Sequence, residues 1–191
     1  MTYILPFSKP AEITQGFFGG YRKRVGGTHK KTRYRRHDSS FAIDFGLEEG
    51  TPLHAAREGF LVAWRDVGRF NYADFLNPDA DPTLRKRATE ETNYVTICHD
   101  DGTFAIYAHL YFQGVDYQLK NCWKETGRMT RIEQGQPIGW SGNTGLSTGP
   151  HLHFVVCRTK RVNSIPVHFT DYKKTLDDRV LFPELHRGLK Q

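Results

Sequence analysis

Two histidines stand two positions apart in the segment GNTGLSTGPHLHF, residues 142–154. Side chains two residues apart on a strand share one face, so His151 and His153 are expected to project together while Leu152 points away into packing. Pro150 fixes where that strand begins. Imidazole is a common metal ligand and a general base near neutral pH. The pair therefore indicates either a metal site or hydrogen-bonded histidines, and other residues must decide between them.

A histidine and a carboxylate earlier in the chain could complete a metal site. In RRHDSSFAIDFGLEEGTP, His37 lies before a predicted strand and Asp44 lies within it. Two imidazoles and one carboxylate would leave a coordination position open for water, which is the arrangement of catalytic zinc sites.

A further histidine could supply acid–base chemistry next to such a metal. His109 ends the predicted strand TFAIYAHL, where it is expected to share a face with Tyr107. Together with the histidine of the HLH pair that does not bind the metal, it could take a proton from water and protonate the leaving group. This combination indicates hydrolysis of an amide bond.

Short apolar or alternating segments, rich in β-branched and aromatic residues, must position these side chains. They are FAIDFGL (41–47), GFLVAW (59–64), NYVTICH (93–99), TFAIYAHL (103–110), QPIGW (136–140) and HLHFVVCR (151–158). The Asp-Gly turn in HDDG predicts that 93–99 and 103–110 form an antiparallel hairpin. We therefore expect an all-β fold.

The length of 191 residues suits a single domain with one core, residues 1–191. The segments 65–92 and 112–131 break the strand pattern and are predicted to be long surface loops, the first with a helical turn near PTLRKRA. Such loops either wall a binding groove or are variable insertions. The C-terminal extension 159–191 is expected to pack on the body of the domain.

The charge of the chain indicates what kind of partner it meets. Lys and Arg number 27 against 21 Asp and Glu, a net charge of +6, and residues 21–36 hold eight basic residues and no acid. A basic chain favours anionic partners such as acidic polymers or cell-envelope surfaces, and charge alone does not exclude nucleic acid.

The cysteines and the apolar segments exclude several classes of protein. Cys98, Cys122 and Cys157 show no CxxC spacing, so neither a thiolate zinc knuckle nor a redox motif is indicated, and we expect small buried hydrophobes. No segment reaches the roughly 18 apolar residues of a membrane span. The N-terminal MTYILPFSKPAEIT shows no signal-peptide pattern.

Taken together, these motifs resemble the LytM/lysostaphin-type zinc metallopeptidases. H-x6-D, then EEGTPLHAAREG, YVTICHDDGTFAIYAHL and GQPIGWSGNTGLSTGPHLHF are similar to the family's successive signature blocks and span residues 37–158. The resemblance implies one Zn²⁺ ion with three protein ligands and two catalytic histidines. The implied ligands are His37, Asp44 and His153, and the implied catalytic residues are His109 and His151.

This chain departs from the commoner family pattern at one point. Six residues separate His37 from Asp44, where three are usual. A longer loop can return both groups to one metal, but His29 and His54 are then alternative ligands to His37. The resemblance also implies an all-β, sandwich-like antiparallel sheet that carries the ligands at the floor of a groove. The long loops 65–92 and 112–131 would form or lengthen the walls of that groove.

The resemblance implies a zinc-dependent endopeptidase that hydrolyses stem or cross-bridge peptide bonds of bacterial peptidoglycan. Its expected partners are peptidoglycan peptides rather than nucleic acid, its site of action lies in the periplasm or cell wall, and a monomer is expected. A catalytically silent wall-binding or activator module of the same fold is the alternative. A cupin-like oxygenase also uses HxH on strands, but the further Glu and His that it needs are absent at the required spacing.

Overall fold

The computed structural model describes residues 2–16, 41–70, 82–126, 130–160 and 162–171. His29, His37 and the basic stretch 21–36 lie outside these ranges. The described residues form strands β1 Glu12–Gln15, β2 Ile43–Gly46, β3 Pro52–His54, β4 Gly59–Arg65, β5 Tyr94–Cys98, β6 Phe104–Ala108, β7 Leu110–Val115, β8 Thr130–Ile132, β9 Pro137–Ser141, β10 Leu152–Thr159 and β11 Val162–Ile165, with helices α1 Pro82–Glu90 and α2 Tyr117–Thr126.

Two antiparallel sheets account for all the named strands. The larger has the order β1-β2-β10-β6-β5-β4-β8, with β11 pairing the far half of β10, and the smaller has the order β3-β9-β7. The predicted hairpin is confirmed, since β5 pairs with β6 from Tyr94 opposite Ala108 to Cys98 opposite Phe104. The prediction of an all-β, antiparallel fold is confirmed as well.

The inner faces of both sheets share one hydrophobic core. Alternation along β10 buries Leu152 and Phe154, and the smaller sheet contributes Leu53 and Ile138. Phe154 is fully buried and meets the Tyr107 ring at 5.1 Å between centroids, in an edge-on contact. The core therefore holds β10 by the face opposite to His153.

The segment 112–131 is not the surface loop that the sequence predicts. It contains most of β7, the whole of α2 and the start of β8. The Asp116 carboxylate caps α2 by accepting the N–H groups of Gln118 and Leu119 at 2.9 and 3.2 Å. Leu119 is the buried residue of α2, and Trp123, one turn later, packs partly buried against the same core. This apolar face is only two residues long, which explains why the sequence pattern misses the helix.

The segment 65–92 is also more ordered than predicted where it is described. The helical turn expected near PTLRKRA is the longer helix α1. Ala88 of α1 packs against Phe70, and the Glu91 carboxylate accepts the Phe70 N–H at 3.1 Å. The helix therefore holds residues 66–70 against the body of the domain.

The C-terminal extension packs on the body as expected over residues 162–171. Strand β11 pairs with β10, and Val167 and Phe169 enter the core. Phe169 forms a parallel bridge with Tyr3, which ties the two ends of the described chain together. Residues 172–191 lie outside the described ranges.

The three cysteines differ in burial, and no disulfide joins them. Cys157 is buried as predicted, whereas the prediction is wrong for Cys122, which is exposed because its helix α2 buries mainly Leu119. No helix among the described residues is long and apolar enough to cross a membrane.

Replacing Phe154 by alanine tests whether the core positions β10. We expect Phe154→Ala to lower the free energy of unfolding by about 3–5 kcal/mol, because a fully buried ring leaves a cavity between the two sheets. Urea unfolding followed by circular dichroism measures this. Tyr117→Ala is the control, since that ring is 70 % exposed, and it should change stability by less than about 0.5 kcal/mol. A Phe154→Ala loss no larger than that of the control would contradict the packing described.

Candidate active site

The pairing of β10 with its two neighbours brings the site together. His153 lies directly opposite Asp44 on β2 and directly opposite Ala108 on β6. Opposed residues of antiparallel strands project from the same face of the sheet. Asp44, His153 and the chain at the end of β6 therefore meet on the face opposite to Phe154.

Asp44 and His153 are in direct contact. The His153 Nδ1 lies 2.8 Å from Asp44 Oδ1, and the second carboxylate oxygen accepts the Gln15 amide N–H at 3.1 Å. An imidazole nitrogen and a carboxylate oxygen are ligand atoms of the kind that catalytic zinc sites use, and here they face each other. The Gln15 contact resembles the outer hydrogen bonds that orient metal-ligating carboxylates.

His151 lies beside this pair, just before β10 begins. Its Nδ1 is 2.8 Å from the Gly149 carbonyl oxygen and 3.1 Å from Ser147 Oγ. A carbonyl can only accept, so Nδ1 carries the hydrogen and, in the neutral ring, Nε2 carries the lone pair. This Nε2 lies 3.8 Å from Asp44 Oδ1, so it faces the site.

His109 reaches the site through an unusual backbone conformation. Strand β6 ends at Ala108, and His109 has a φ of 64° in the left-handed region. The expectation that it shares a face with Tyr107 is wrong, because the strand no longer alternates there. Tyr107 is opposite Phe154 in the core, whereas the His109 ring lies 5.9 Å from that of His153.

The ring of His109 is held in the same way as that of His151. Its Nδ1 donates to the Thr144 carbonyl oxygen at 2.7 Å, which again leaves Nε2 as the lone-pair nitrogen. The two rings lie 4.5 Å apart between centroids. Burial, and next the nearby imidazoles of His151 and His153, lower the pKa of His109 to about 3. His109 is therefore a neutral imidazole at pH 7.

Two glycines let the 142–149 segment approach these histidines. A side chain at Gly142 would overlap the backbone of Tyr111, and one at Gly145 would overlap Thr92. Gly145 also has a φ of +85°, which other residues rarely adopt. Their lack of a side chain allows the Thr144 carbonyl between them to reach His109.

The segment 65–92 lies against the same loop. Leu146 packs with Phe70 and Ala88, and the Gly145 N–H donates to the Phe70 carbonyl at 2.6 Å. The described part of this insertion is therefore attached to the segment that holds the histidines.

The structure brings together four of the five residues that the sequence singles out. They are Asp44, His109, His151 and His153, whereas His37 lies outside the described residues. The alternative ligand His54 lies in the smaller sheet, where its Nε2 is 2.7 Å from the Leu5 carbonyl oxygen. Across the described residues, no three or more His, Cys, Asp or Glu side chains are arranged to hold a metal ion. Asp44 and His153 thus offer two atoms that could bind a metal ion, and a metal site would need a third ligand from elsewhere.

His99 has a structural role in the interior of the domain. It is 2 % exposed, and its Nδ1 lies 2.6 Å from the Glu58 carbonyl oxygen. Burial lowers its pKa, so this ring is neutral in the interior.

Sequence reasoning misses the residues that hold the site together. Thr144 and Ser147 lie inside the GNTGLSTGPHLHF motif, where small polar residues indicate only turns. Their partners are set by how the loop folds back, which no local pattern shows. Gln15 lies on β1, far from the other site residues in sequence, and carries no motif of its own.

Comparison with known proteins identifies the family. The model of Peptidase family M23 matches residues 38–166, well over half of the chain, and the match starts immediately after His37. The chain therefore belongs to peptidase family M23, as its resemblance to LytM/lysostaphin-type enzymes implies.

Curated relatives include two endopeptidases. Glycyl-glycine endopeptidase ALE-1 of Staphylococcus capitis is 30 % identical over 114 residues, covering 60 % of this chain and 23 % of its own. Peptidoglycan DD-endopeptidase ShyA of Vibrio cholerae is 30 % identical over 123 residues, covering 64 % of this chain and 21 % of its own. This chain thus spans less than a quarter of either relative.

Two solved structures share the fold. One is a zinc-containing peptidase from Vibrio cholerae, with a TM-score of 0.53 and 21 % identity over 88 % of this chain and 41 % of that one. The other is a mutant catalytic domain of the prophage-encoded M23 protein EnpA from Enterococcus faecalis, with a TM-score of 0.52 and 18 % identity over 86 % of this chain and 94 % of that one.

The carbonyl contacts predict which nitrogen of each ring carries hydrogen. We expect neutral His109 and His151 both to be Nδ1–H tautomers, because each Nδ1 faces a backbone carbonyl. Long-range ¹H–¹⁵N spectra of the imidazole rings distinguish the two tautomers. His168, an exposed ring, serves as a reference. An Nε2–H tautomer at His109 would show that the contact with Thr144 does not form in solution.

Proposed function

We propose that this chain is a zinc-dependent endopeptidase that hydrolyses peptide bonds in bacterial peptidoglycan. The single observation that carries the proposal is the grouping of Asp44, His153, His151 and His109 on one face, with Asp44 and His153 in contact at 2.8 Å. Membership of peptidase family M23 and the peptidoglycan endopeptidases among its relatives support the same reaction.

The ligand set in this proposal is His37, Asp44 and His153. The last two present an oxygen and a nitrogen to each other, and the Gln15 amide orients the carboxylate. His37 is the third ligand that this pair needs. When bound, a zinc ion supplies Lewis acidity toward the scissile carbonyl and lowers the pKa of its water toward ~7.

His109 and His151 are the proposed proton carriers. Each ring donates Nδ1–H to a backbone carbonyl, so each has Nε2 available as a base on the side of the ring away from the loop. His109, neutral and only 9 % exposed, would accept a proton from the attacking water. His151, whose Nε2 faces Asp44, would stabilise the charge that develops on the carbonyl oxygen or protonate the leaving amine.

The proposed substrate fits the charge of the chain. Peptidoglycan is an anionic polymer in its native wall, and a net charge of +6 favours association with such a surface. The insertion attached to the loop through Phe70 and Leu146 is the proposed wall of a groove beside the histidines. Stem and cross-bridge bonds are both compatible with this arrangement, so the proposal covers both, with action in the periplasm or cell wall.

Alanine variants separate metal binding from proton transfer. We expect His109→Ala to keep about one zinc ion per chain and to lose turnover by about 10²–10⁴-fold, because it removes a general base but no ligand. His153→Ala should lose zinc and activity together, because it removes a ligand. Zinc content is measured by elemental analysis, and hydrolysis is measured by mass spectrometry of muropeptides released from purified sacculi.

A control and a chelator complete this test. His168→Ala should leave both quantities unchanged, because that ring is exposed and outside the site. Sacculi treated with the chelated protein should release nothing until zinc is restored. Release that persists without zinc would overturn the metal mechanism. Zinc binding with no release by the unmodified chain would instead favour the silent wall-binding or activator module.

A further inference from the structure

A fully buried asparagine next to the site hydrogen-bonds three separate segments of the chain. Asn93 precedes β5 and is 0 % exposed. Its Oδ1 accepts the Gly68 N–H at 2.8 Å, which fixes the orientation of the amide. Its Nδ2 donates to the carbonyls of Gly68 at 2.8 Å and Tyr111 at 3.1 Å, with Leu110 at 3.5 Å. The side chain thus joins the insertion to the start of β7, which follows His109.

The main chain of Asn93 extends the same connections. Its carbonyl accepts the Leu110 N–H at 3.2 Å, and its N–H donates to Thr144 Oγ1 at 3.1 Å. The Thr144 hydroxyl in turn donates to the Leu110 carbonyl at 2.7 Å. Asn93 and Thr144 together therefore hold both peptide groups of the residue that follows His109.

This network surrounds the residue with the strained backbone. His109 has a φ of 64°, and its ring is bound by the carbonyl of the same Thr144. A non-glycine residue stays in the left-handed region only where its surroundings determine the conformation. The bonds to Leu110 and Tyr111 fix the backbone on one side, and the Thr144 carbonyl fixes the ring.

We infer that Asn93 and the Thr144 hydroxyl are positioning residues that hold the His109 imidazole in its reactive orientation. The inference rests on the proposed hydrolytic function, because it assigns these residues to the base of that reaction. Neither residue reaches substrate in this role. They act by fixing where the His109 Nε2 lies relative to Asp44 and His153.

A positioning role differs from a purely structural one in what it changes. Misplacement of a base by about 1 Å costs up to about 100-fold in rate without weakening substrate binding. A structural role would lower stability and affect kcat only through the folded fraction. The ligands Asp44 and His153 belong to other strands, so zinc content should not change when His109 alone is misplaced.

The experiment compares two isosteric changes of buried threonines in the zinc-loaded full chain. Thr144→Val removes the hydroxyl that joins Asn93 to Leu110. Thr96→Val removes a buried hydroxyl on β5, at 1 % exposure against 7 % for Thr144, that has no hydrogen-bond partner among the described residues. We expect Thr144→Val to lower kcat on soluble cross-linked muropeptides by about 10–100-fold with KM within about twofold and zinc content unchanged. Thr96→Val should leave all three unchanged.

Two further variants exclude a trivial loss of folding. Thr144→Ser keeps the hydroxyl and should restore kcat to within about threefold of the unmodified chain. Asn93→Asp keeps the shape but removes the Nδ2 donors, so it should reproduce the kcat loss of Thr144→Val. Urea unfolding midpoints identify any variant whose activity must be corrected for its folded fraction. Equal kcat for Thr144→Val and Thr96→Val, or a loss that follows stability or zinc content, would overturn the inference.

A measurement independent of turnover separates this inference from the proposed function. Long-range ¹H–¹⁵N spectra should show the single Nδ1–H tautomer of His109 in the Thr96→Val protein and a mixture of tautomers in Thr144→Val and Asn93→Asp. If the unmodified chain hydrolyses nothing, the proposed function fails while this spectrum still decides the positioning role. An unchanged His109 tautomer in both variants would refute that role, whatever the activity.

Discussion

The register of β10 is the constraint on which the rest of the site depends. One residue, His153, lies opposite Asp44 on one neighbouring strand and opposite Ala108 on the other. A slip of one position would turn His153 toward the core and expose Phe154, because alternate side chains point to opposite faces. The fully buried Phe154, packed on Tyr107, makes that slip costly. Packing on the inner face of β10 therefore determines that His153 lies on its outer face, opposite Asp44.

The strands position two of the site residues, and the loop 142–149 positions the other two. The strands place Asp44 and His153, whose contact uses the Nδ1 of the imidazole. The loop before β10 places His109 and His151, and each of these rings gives its Nδ1–H to a loop carbonyl. Nδ1 thus faces the Asp44 carboxylate in His153, whereas it faces a backbone carbonyl in His109 and in His151. This difference supports the proposed roles of His153 as a ligand and of His109 and His151 as bases.

Much of the fold could be predicted because its strands have a short, strong period. Alternation and β-branched residues locate β4, β5, β6 and β10 to within about two residues. The Asp-Gly turn predicts the hairpin of β5 and β6. The helix α2 is missed because its apolar face is short and consists of Leu119 and the partly buried Trp123. The HLH spacing predicts that its two imidazoles meet. The left-handed turn at His109, by contrast, depends on contacts with Asn93 and Thr144 that are distant in sequence.

The described part of the insertion 65–92 is hydrogen-bonded to the loop 142–149, which contacts the histidines of the site. Gly68 is bonded to Asn93 through both of its backbone groups, and the Phe70 carbonyl accepts the Gly145 N–H. Glu91, which directly follows α1, accepts the N–H groups of Arg69 and Phe70, so the end of the helix is linked through Phe70 to the loop beside Thr144. Buried hydrogen bonds are costly to leave unmade, which keeps this path intact in the folded state. A change in the insertion can therefore alter the placement of His109 as well as the shape of any groove it lines.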